Sequence, residues 1–284
     1  MTQKRYASPG DFLRDNESFL TQYEISAQLN RGNAQAHREA SCSPELLFGR
    51  YEQEGRTVLI FGNTAPWNLC LNAPEGMEAL SAQAAAELAD WLKEQRVPIA
   101  GVSGRDWLCQ RFMEAYGGRF VQRSAMDIMM LTRLIEPPAA PGVVRPAEEK
   151  DLEVLVRWVC AFYQEALHEE ADPETVRQRN QERVRKGEIR VLESPQGELL
   201  SMAHTSRETE RGISVSGVYT PPEHRGKGCC QATVGSLCRE LLAGGKDYCT
   251  LFVDRRNPIS NRVYRKIGFE VLEDSSEYKL VNEE

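Results

Sequence analysis

The sequence predicts an α/β protein with mixed α+β sheets, built as two modules of like architecture. Three observations predict it. Strand-like apolar runs alternate with helix-like amphipathic runs along the whole chain. The four prolines of "EPPAAPGVVRP", residues 136–146, preclude a regular helix near the middle. On either side of that break the elements follow nearly the same order: helix, three-strand meander, helix, strand, helix, strand. At 284 residues the chain is also near the length at which a single core stops growing.

Residues 1–136 read as the first domain. A helix is expected from about Asp11 to Asn30, followed by strands at "ELLFGRYE", "RTVLIFGN" and "WNLCLNA". The alanine-rich "MEALSAQAAAELADWLKEQ" is a helix, "VPIAGVS" a buried strand, and "DWLCQRFMEAYGG" a helix stopped by its glycines. The strand "RFVQRSAMDIMMLTRL" closes this half. Residues 137–146 are a proline-rich linker that runs into a first strand, "GVVRPA", and the second domain spans 142–284. Its helices open around "EEKDLEVLVRWVCAFYQEAL" and at "DPETVRQRNQERVRKG", where Pro173 suits the first turn. Strands follow at "EIRVLES", "ELLSMAHTS" and "ISVSGVYT", joined by hairpin turns, which makes the sheet mostly antiparallel. A helix "QATVGSLCRELLAGG", a strand "YCTLFVD", a helix "NPISNRVYRKIG" and a strand "FEVLEDSSEYKLV" complete it.

Composition excludes several classes of function. Lys and Arg number 14 against 17 acidic residues in 1–136, and 21 against 25 in 137–284, so neither half offers a basic nucleic-acid surface. The start lacks an apolar run of signal-peptide length and no stretch is long and apolar enough to span a bilayer, so a cytoplasmic protein without membrane contact is expected. The eight cysteines are scattered without a C-x-x-C pair, and His37, His168, His204 and His224 lie far apart, so reduced thiols and no metal are expected.

The chemistry concentrates in "GVYTPPEHRGKGCCQATVGSL", residues 217–237. A turn that binds pyrophosphate needs inward N–H groups, glycines that let the chain approach the anion, and a helix N-terminus behind it. "RGKG" meets each need: Arg225 and Lys227 bring charge, Gly226 and Gly228 bring clearance, and a helix starts at once. Taken alone, the same residues also suit a solvated turn between strand and helix.

With its strand, this segment resembles motif A of the GNAT superfamily, the general-control-related N-acetyltransferases, Gln/Arg-x-x-Gly-x-Gly/Ala. Here it runs Arg225, Gly226, Lys227, Gly228, Cys229, Cys230, with Cys230 where the family has glycine or alanine. The resemblance continues in register at "NPISNRVYRKIGF", where Asn257, Ser260, Val263, Tyr264, Lys266, Gly268 and Phe269 follow the family's Asn-x-x-Ala-x-x-Leu-Tyr-x-Lys-x-Gly-Phe, with serine for alanine and valine for leucine. It covers residues 142–282. In residues 1–136 it is architectural only, since "LNAPEGMEALSAQ" lacks the basic glycine loop, and that half resembles a degenerate copy in a tandem protein.

The resemblance implies a fold with a splayed sheet that binds CoA, and an activity: transfer of an acyl group, most simply acetyl from acetyl-CoA, to a primary amine of a small molecule or peptide by direct attack in a ternary complex. It implies that Val218, Tyr219 and Thr220 lie on a bulged strand whose free backbone groups pair with pantetheine, that the N–H groups from Gly226 to Cys230 take the pyrophosphate, and that Asn257 touches the cofactor. A free N–H near Val218 would polarise the thioester carbonyl. Tyr264 is the expected general acid for the leaving thiolate, since a phenol titrates near 10 and a thiol near 8.5. Without the resemblance, Tyr264 reads as a core aromatic in register with Ile259, Val263 and Ile267, and Asn257 as a helix cap.

Other assignments stay open at this level. The general base is His204, Glu208, Glu210 or water. Cys229 and Cys230 could be nucleophilic thiols at a helix N-terminus, but a bound pyrophosphate would oppose the thiolate, and small space-filling residues are the favoured reading. "RQRNQERVRKGEIR" reads as an exposed face. The tryptophans anchor cores, except that Trp67 in "NTAPWN" suits a loop beside an acceptor pocket. A noncatalytic acyl-CoA sensor or scaffold of the same fold is the alternative to an enzyme, and a monomer or a homodimer is compatible with either.

Overall fold

Residues Asp11 to Asn30, expected as one helix, belong instead to three: α1 (Pro9–Asp15), α2 (Glu17–Gln22) and α3 (Gln28–Ala36). Ser8 caps the first, its Oγ accepting from the Asp11 N–H at 3.1 Å. Asn16 ends it. Its buried carboxamide donates to the Phe12 carbonyl at 2.8 Å and to the Tyr6 hydroxyl at 3.1 Å, local bonds that compete with helix continuation. An N-terminal strand, β1 (Thr2–Arg5), was not expected from the sequence and pairs antiparallel with β2 (Leu46–Gln53). These positions come from a computed structural model that describes residues 1–139, 141–167 and 169–281. His168 lies outside the described residues.

The chain forms two compact units that do not follow its halves. Unit 1 comprises Met1–Ile128, Asp254–Arg256 and the residues from Val271, and unit 2 comprises Met129–Val253 and Asn257–Glu270. In unit 1, β2 pairs antiparallel with β3 (Arg56–Thr64), and β3 with β4 (Leu69–Asn72), as the expected meander. The helix α4 (Glu78–Glu94) then leads to β5 (Gly101–Gly104), parallel to β4, and α5 (Asp106–Tyr116) leads to β6 (Arg119–Leu131). Strand β3 is buried on both faces: Leu59 and Phe61 join the core formed with Leu88, Leu92 and Phe112, while Ile60 and Phe48 meet Phe12 and Leu20.

Unit 2 opens with β7 (Val143–Pro146), α6 (Leu152–Phe162), a π-helical turn at Tyr163–Leu167, and α7 (Pro173–Arg185) capped by Asp172. The meander follows as β8 (Ile189–Glu193), β9 (Leu199–Ser206) and β10 (Gly212–Tyr219), antiparallel in sequence. Then come α8 (Cys229–Ala243), β11 (Tyr248–Asp254), which pairs parallel with β10, and α9 (Pro258–Ile267). Strand order in this unit is β11-β10-β9-β8-β7. The core under α8 and α9 gathers Val215, Val234, Leu237, Leu251, Tyr264, Ile267 and Phe269. On the α6 side it gathers Leu155, Ile189, Val191, Met202 and Tyr219, with Trp158 packed against them.

Two features depart from the expected domain boundary. The residues at the start of the expected linker are packed: Glu136, just before it, pairs with Arg239 of α8, and Pro137, its first residue, lies so close to Gly235 that a Cβ there would stand 2.9 Å from the proline ring. The last strand, β12 (Glu270–Val281), contributes all but its first residue to unit 1, where it pairs antiparallel with β5 in the order β1-β2-β3-β4-β5-β12-β6. Among the described residues no helix is long and apolar enough to cross a membrane, and no group of three His, Cys, Asp or Glu side chains is placed to hold a metal. All eight cysteines are free thiols.

Candidate cofactor site

The site is built from the far end of β10. Its parallel pairing with β11 runs over Gly212–Ser214 against Tyr248–Thr250, and its ladder to β9 breaks between Ser216↔His204 and Tyr219↔Met202, three steps on one strand against two on the other. That is a β-bulge, and Gly217 and Val218 lie in it. Gly217 adopts φ +56°, and a Cβ on it would lie 2.3 Å from both Cδ2 and Nε2 of His204. Glycine is therefore required twice, for the left-handed backbone and for the ring packed beneath it. Gly217→Ala is expected to destabilise the protein by roughly 2 kcal/mol, from αL strain and overpacking; a urea midpoint that stays at the wild-type value would contradict this packing.

Beyond the bulge, Thr220 leads through Pro221 and a 3₁₀ turn at Pro222–His224 to the glycine loop. Gly226 and Gly228 have φ of +76° and +79°, and a Cβ on either would meet nothing within 4 Å. The loop is thus left-handed at two points and open on its outer side. Gly228 is the N-cap of α8. None of the N–H groups of Gly226, Lys227, Gly228, Cys229, Cys230 and Gln231 has a backbone acceptor among the described residues. The first turn of a helix leaves such donors unpaired and adds positive potential. Beside them the Thr220 hydroxyl oxygen is buried without a hydrogen-bond partner. An orphaned buried hydroxyl and a row of unspent donors fit a polar, anionic ligand.

Arg225 is held at the mouth of this loop. Its Nε donates to the Thr220 carbonyl at 2.9 Å, its Nη2 to Glu165 Oε2 at 2.6 Å, and its guanidinium lies 5.8 Å from the Tyr219 ring centre. The Tyr219 hydroxyl donates to Glu165 Oε1 at 2.8 Å. Burial works to raise the Glu165 carboxyl, but the bonds from Arg225 and Tyr219 outweigh it and hold the group below the ordinary carboxylate range. Burial and the Glu165 carboxylate push the Tyr219 phenol up to about 12. Sequence reasoning missed Glu165 altogether. It lies in the π-helical turn after α6, and no local pattern distinguishes it from the other glutamates nearby. Lys227 is exposed.

The remaining expected residues fall as follows. Tyr264 is buried in the core of unit 2, edge-on to Phe269 with ring centres 6.0 Å apart, and burial raises its phenol well above the ordinary value. Cys229 is buried with Leu192, Leu200 and Ala232, and Cys230 packs against the cluster that contains Tyr264. Burial raises the Cys229 thiol and pushes the Cys230 thiol up to about 12, so desolvation overrides the helix N-terminus and neither is a thiolate near neutrality. Asn257 caps α9, its Oδ1 accepting from the Ser260 N–H at 3.0 Å. Trp67 stands 72% exposed, whereas Trp91 and Trp107 pack on the unit 1 core.

The structure separates the three base candidates. Glu208 is paired with Lys246 at 2.6 Å, and Glu210 is exposed on the β9–β10 turn. His204 lies under the bulge with its Nδ1 3.0 Å from the Thr205 carbonyl, and burial, helped by the charge of Arg183, lowers its imidazole to about 4. It is neutral at pH 7. The unfolded imidazole protonates near 6.5 while the folded one resists until about 4, so the unfolded state binds the extra proton in that window. The resulting stability is full above pH 6.5 and is lost as pH falls towards 4, by about 3 kcal/mol. His204→Gln should flatten this part of the stability profile, read as the urea midpoint between pH 7 and 4.5; an unchanged slope would show that another group carries it.

In unit 1 the turn before α4 holds a side-chain carboxylate. At the turn before α4, the Gly76 N–H donates to the Glu78 carboxylate at 3.0 Å, and backbone N–H groups of Glu78 and Gly76 together lower that carboxyl.

A bulged β10 parting from a parallel β11, with a glycine loop feeding α8, gives unit 2 an α/β architecture whose loop and helix N-terminus lie at the end of the bulged strand. Residues 195–278 match the family model described as FR47-like protein. The chain has the fold of an acetyltransferase from the GNAT family of Colwellia psychrerythraea, at 11% identity, TM-score 0.63, 99% of this chain and 100% of that one. A GCN5-related N-acetyltransferase from Sphaerobacter thermophilus aligns at 17% identity and TM-score 0.63 over 97% of this chain and 94% of that one. A tandem GNAT protein from the clavulanic acid biosynthesis pathway aligns at 14% identity and TM-score 0.50 over 100% and 99%. No curated protein sequence matches. These matches show a fold shared with acetyltransferases of the GNAT family, with the family model confined to residues 195–278.

Proposed function

We propose that this protein is an acyl-CoA-dependent N-acyltransferase, most simply an acetyltransferase acting on a primary amine by direct attack in a ternary complex. The observation that carries this reading is the row of N–H groups without backbone acceptors from Gly226 to Gln231 at the start of α8, behind two glycines whose outer side is open. Those donors, with Arg225 and Lys227, suit a pyrophosphate. The backbone groups of Val218, Tyr219 and Thr220, on a strand that has left its parallel neighbour, suit the amides of a pantetheine arm, and the orphaned Thr220 hydroxyl offers one more contact. When bound, acyl-CoA supplies the thioester and a thiol leaving group. The Val218 N–H is the donor for the carbonyl oxygen, and Tyr264, whose raised phenol keeps its proton across neutral pH, is the donor for the departing sulfur. Asn257, while capping α9, stays a cofactor contact through its remaining amide. With His204 neutral and weakly basic, water removes the proton of the amine.

Unit 1 is read as a copy of the same module that has exchanged its anion site for the Glu78 carboxylate. A second reading, a noncatalytic acyl-CoA sensor, is favoured by the placement of His204, whose buried imidazole is only weakly basic, and of Glu208, which is paired with Lys246. A CoA-release screen across amines, amino acids, aminoglycosides, polyamines and peptides, run beside acetyl-CoA thermal shifts, separates them. Release with any acceptor supports the enzyme, stabilisation without release supports the sensor, and the lack of both excludes each.

A further inference from the structure

Glu165 is a charged group in contact with Arg225 of the loop that the proposed reaction does not use. The π-helical turn Tyr163–Leu167 brings it onto residues far along the chain, where one carboxylate oxygen accepts from the Tyr219 hydroxyl at 2.8 Å and the other from Arg225 at 2.6 Å. The Arg225 guanidinium is thereby directed towards Glu165 and the Thr220 carbonyl, a backbone group just past the end of β10 that the cofactor reading offers to pantetheine. We propose that Glu165 is a built-in competitor for Arg225, and that Arg225 changes partner from Glu165 to pyrophosphate when the cofactor binds. The inference rests on the cofactor reading of the Gly226–Gly228 loop.

Three observations make the exchange feasible. The Arg225 and Glu165 side chains are 49% and 43% exposed, so water reaches the pair and its net stabilisation is small. A pyrophosphate carries more charge than one carboxylate and accepts paired guanidinium bonds, so it outcompetes Glu165. Glu165 is not left bare after the exchange, because the Tyr219 hydroxyl still donates to it. One movement of Arg225 then frees the Thr220 carbonyl and charges the loop together, which makes Glu165 a positioning residue that lowers cofactor affinity in exchange for an ordered empty site.

A double-mutant cycle on the full chain tests this, with acetyl-CoA titrated calorimetrically into wild type, Glu165→Gln, Arg225→Gln and the double variant at one ionic strength. Glu165→Gln should tighten binding about threefold to fivefold, and most of that gain should vanish in the Arg225→Gln background. An equal gain in both backgrounds would reduce Glu165 to simple like-charge repulsion and overturn the exchange, as would no gain with Arg225 present. Wild-type protein that does not bind acetyl-CoA would instead overturn the cofactor reading itself, and the inference with it.

Discussion

Gly228→Glu is expected to abolish the rise in melting temperature that acetyl-CoA gives the wild-type protein. At a hundredfold excess over its dissociation constant, a ligand that binds only the folded state stabilises it by about 2.7 kcal/mol, or about 5–10 °C for a chain of this size. Gly228 is the N-cap of α8 at φ +79°, with open space where its Cβ would be. A glutamate there places a carboxylate among the donors that would hold the pyrophosphate, much as Glu78 does beside Gly76 in unit 1. The left-handed backbone adds a cost of about 1–2 kcal/mol to any side chain. Gly228→Ala carries that cost without the charge, so the two variants should lose similar stability unliganded, and the alanine variant should keep part of its acetyl-CoA shift. Undiminished stabilisation of the glutamate variant would remove the loop from the binding site.

Tyr264→Phe should lower turnover about 100-fold or more while acetyl-CoA binding is kept, since a positioned general acid contributes on that scale. The ring retains its core neighbours, including Phe269 at 6.0 Å, so the fold should lose little. Because burial raises the phenol above its ordinary value, the proton stays on Tyr264 throughout the neutral and mildly alkaline range, and the wild-type rate should show no fall as pH rises to 9 that the variant lacks. An unaltered rate would leave Tyr264 as a core aromatic and return the acid role to water. An equal loss of rate and binding would point to disturbed packing around Cys230 and Val263.

The parts of this site that could be read in the sequence are those whose geometry is local. Arg225, Gly226, Lys227 and Gly228 are neighbours, and the two positive φ angles and the helix that follows are consequences of glycine and of the apolar periodicity after it. Asn257 followed by Pro258 reads as a helix start and is one. The helix between Asp11 and Asn30 was misjudged because its break depends on the Asn16 carboxamide reaching the Tyr6 hydroxyl, a contact with no signature in helical spacing. The thiols of Cys229 and Cys230 could not be placed either, since a helix N-terminus and burial act in opposite directions and only packing decides the balance.

By itself the sequence determined the order of the elements from β2 onwards, the glycine loop before α8, and the absence of a basic glycine loop from the first half, all of which depend on side chains a few residues apart. Tertiary structure alone decided that β12 pairs with β5 in unit 1, that the His204 ring lies under Gly217 and loses its basicity, and that Glu165 meets Tyr219 and Arg225. Each of those joins residues on different elements, thirteen or more positions apart, and their charge and desolvation exist only once the chain has brought them together. Whether "RGKG" is a phosphate cradle or a solvated turn is of this second kind: the residues suit both, and what supports a cradle is the bulge, the orphaned Thr220 hydroxyl and the N–H groups without backbone acceptors.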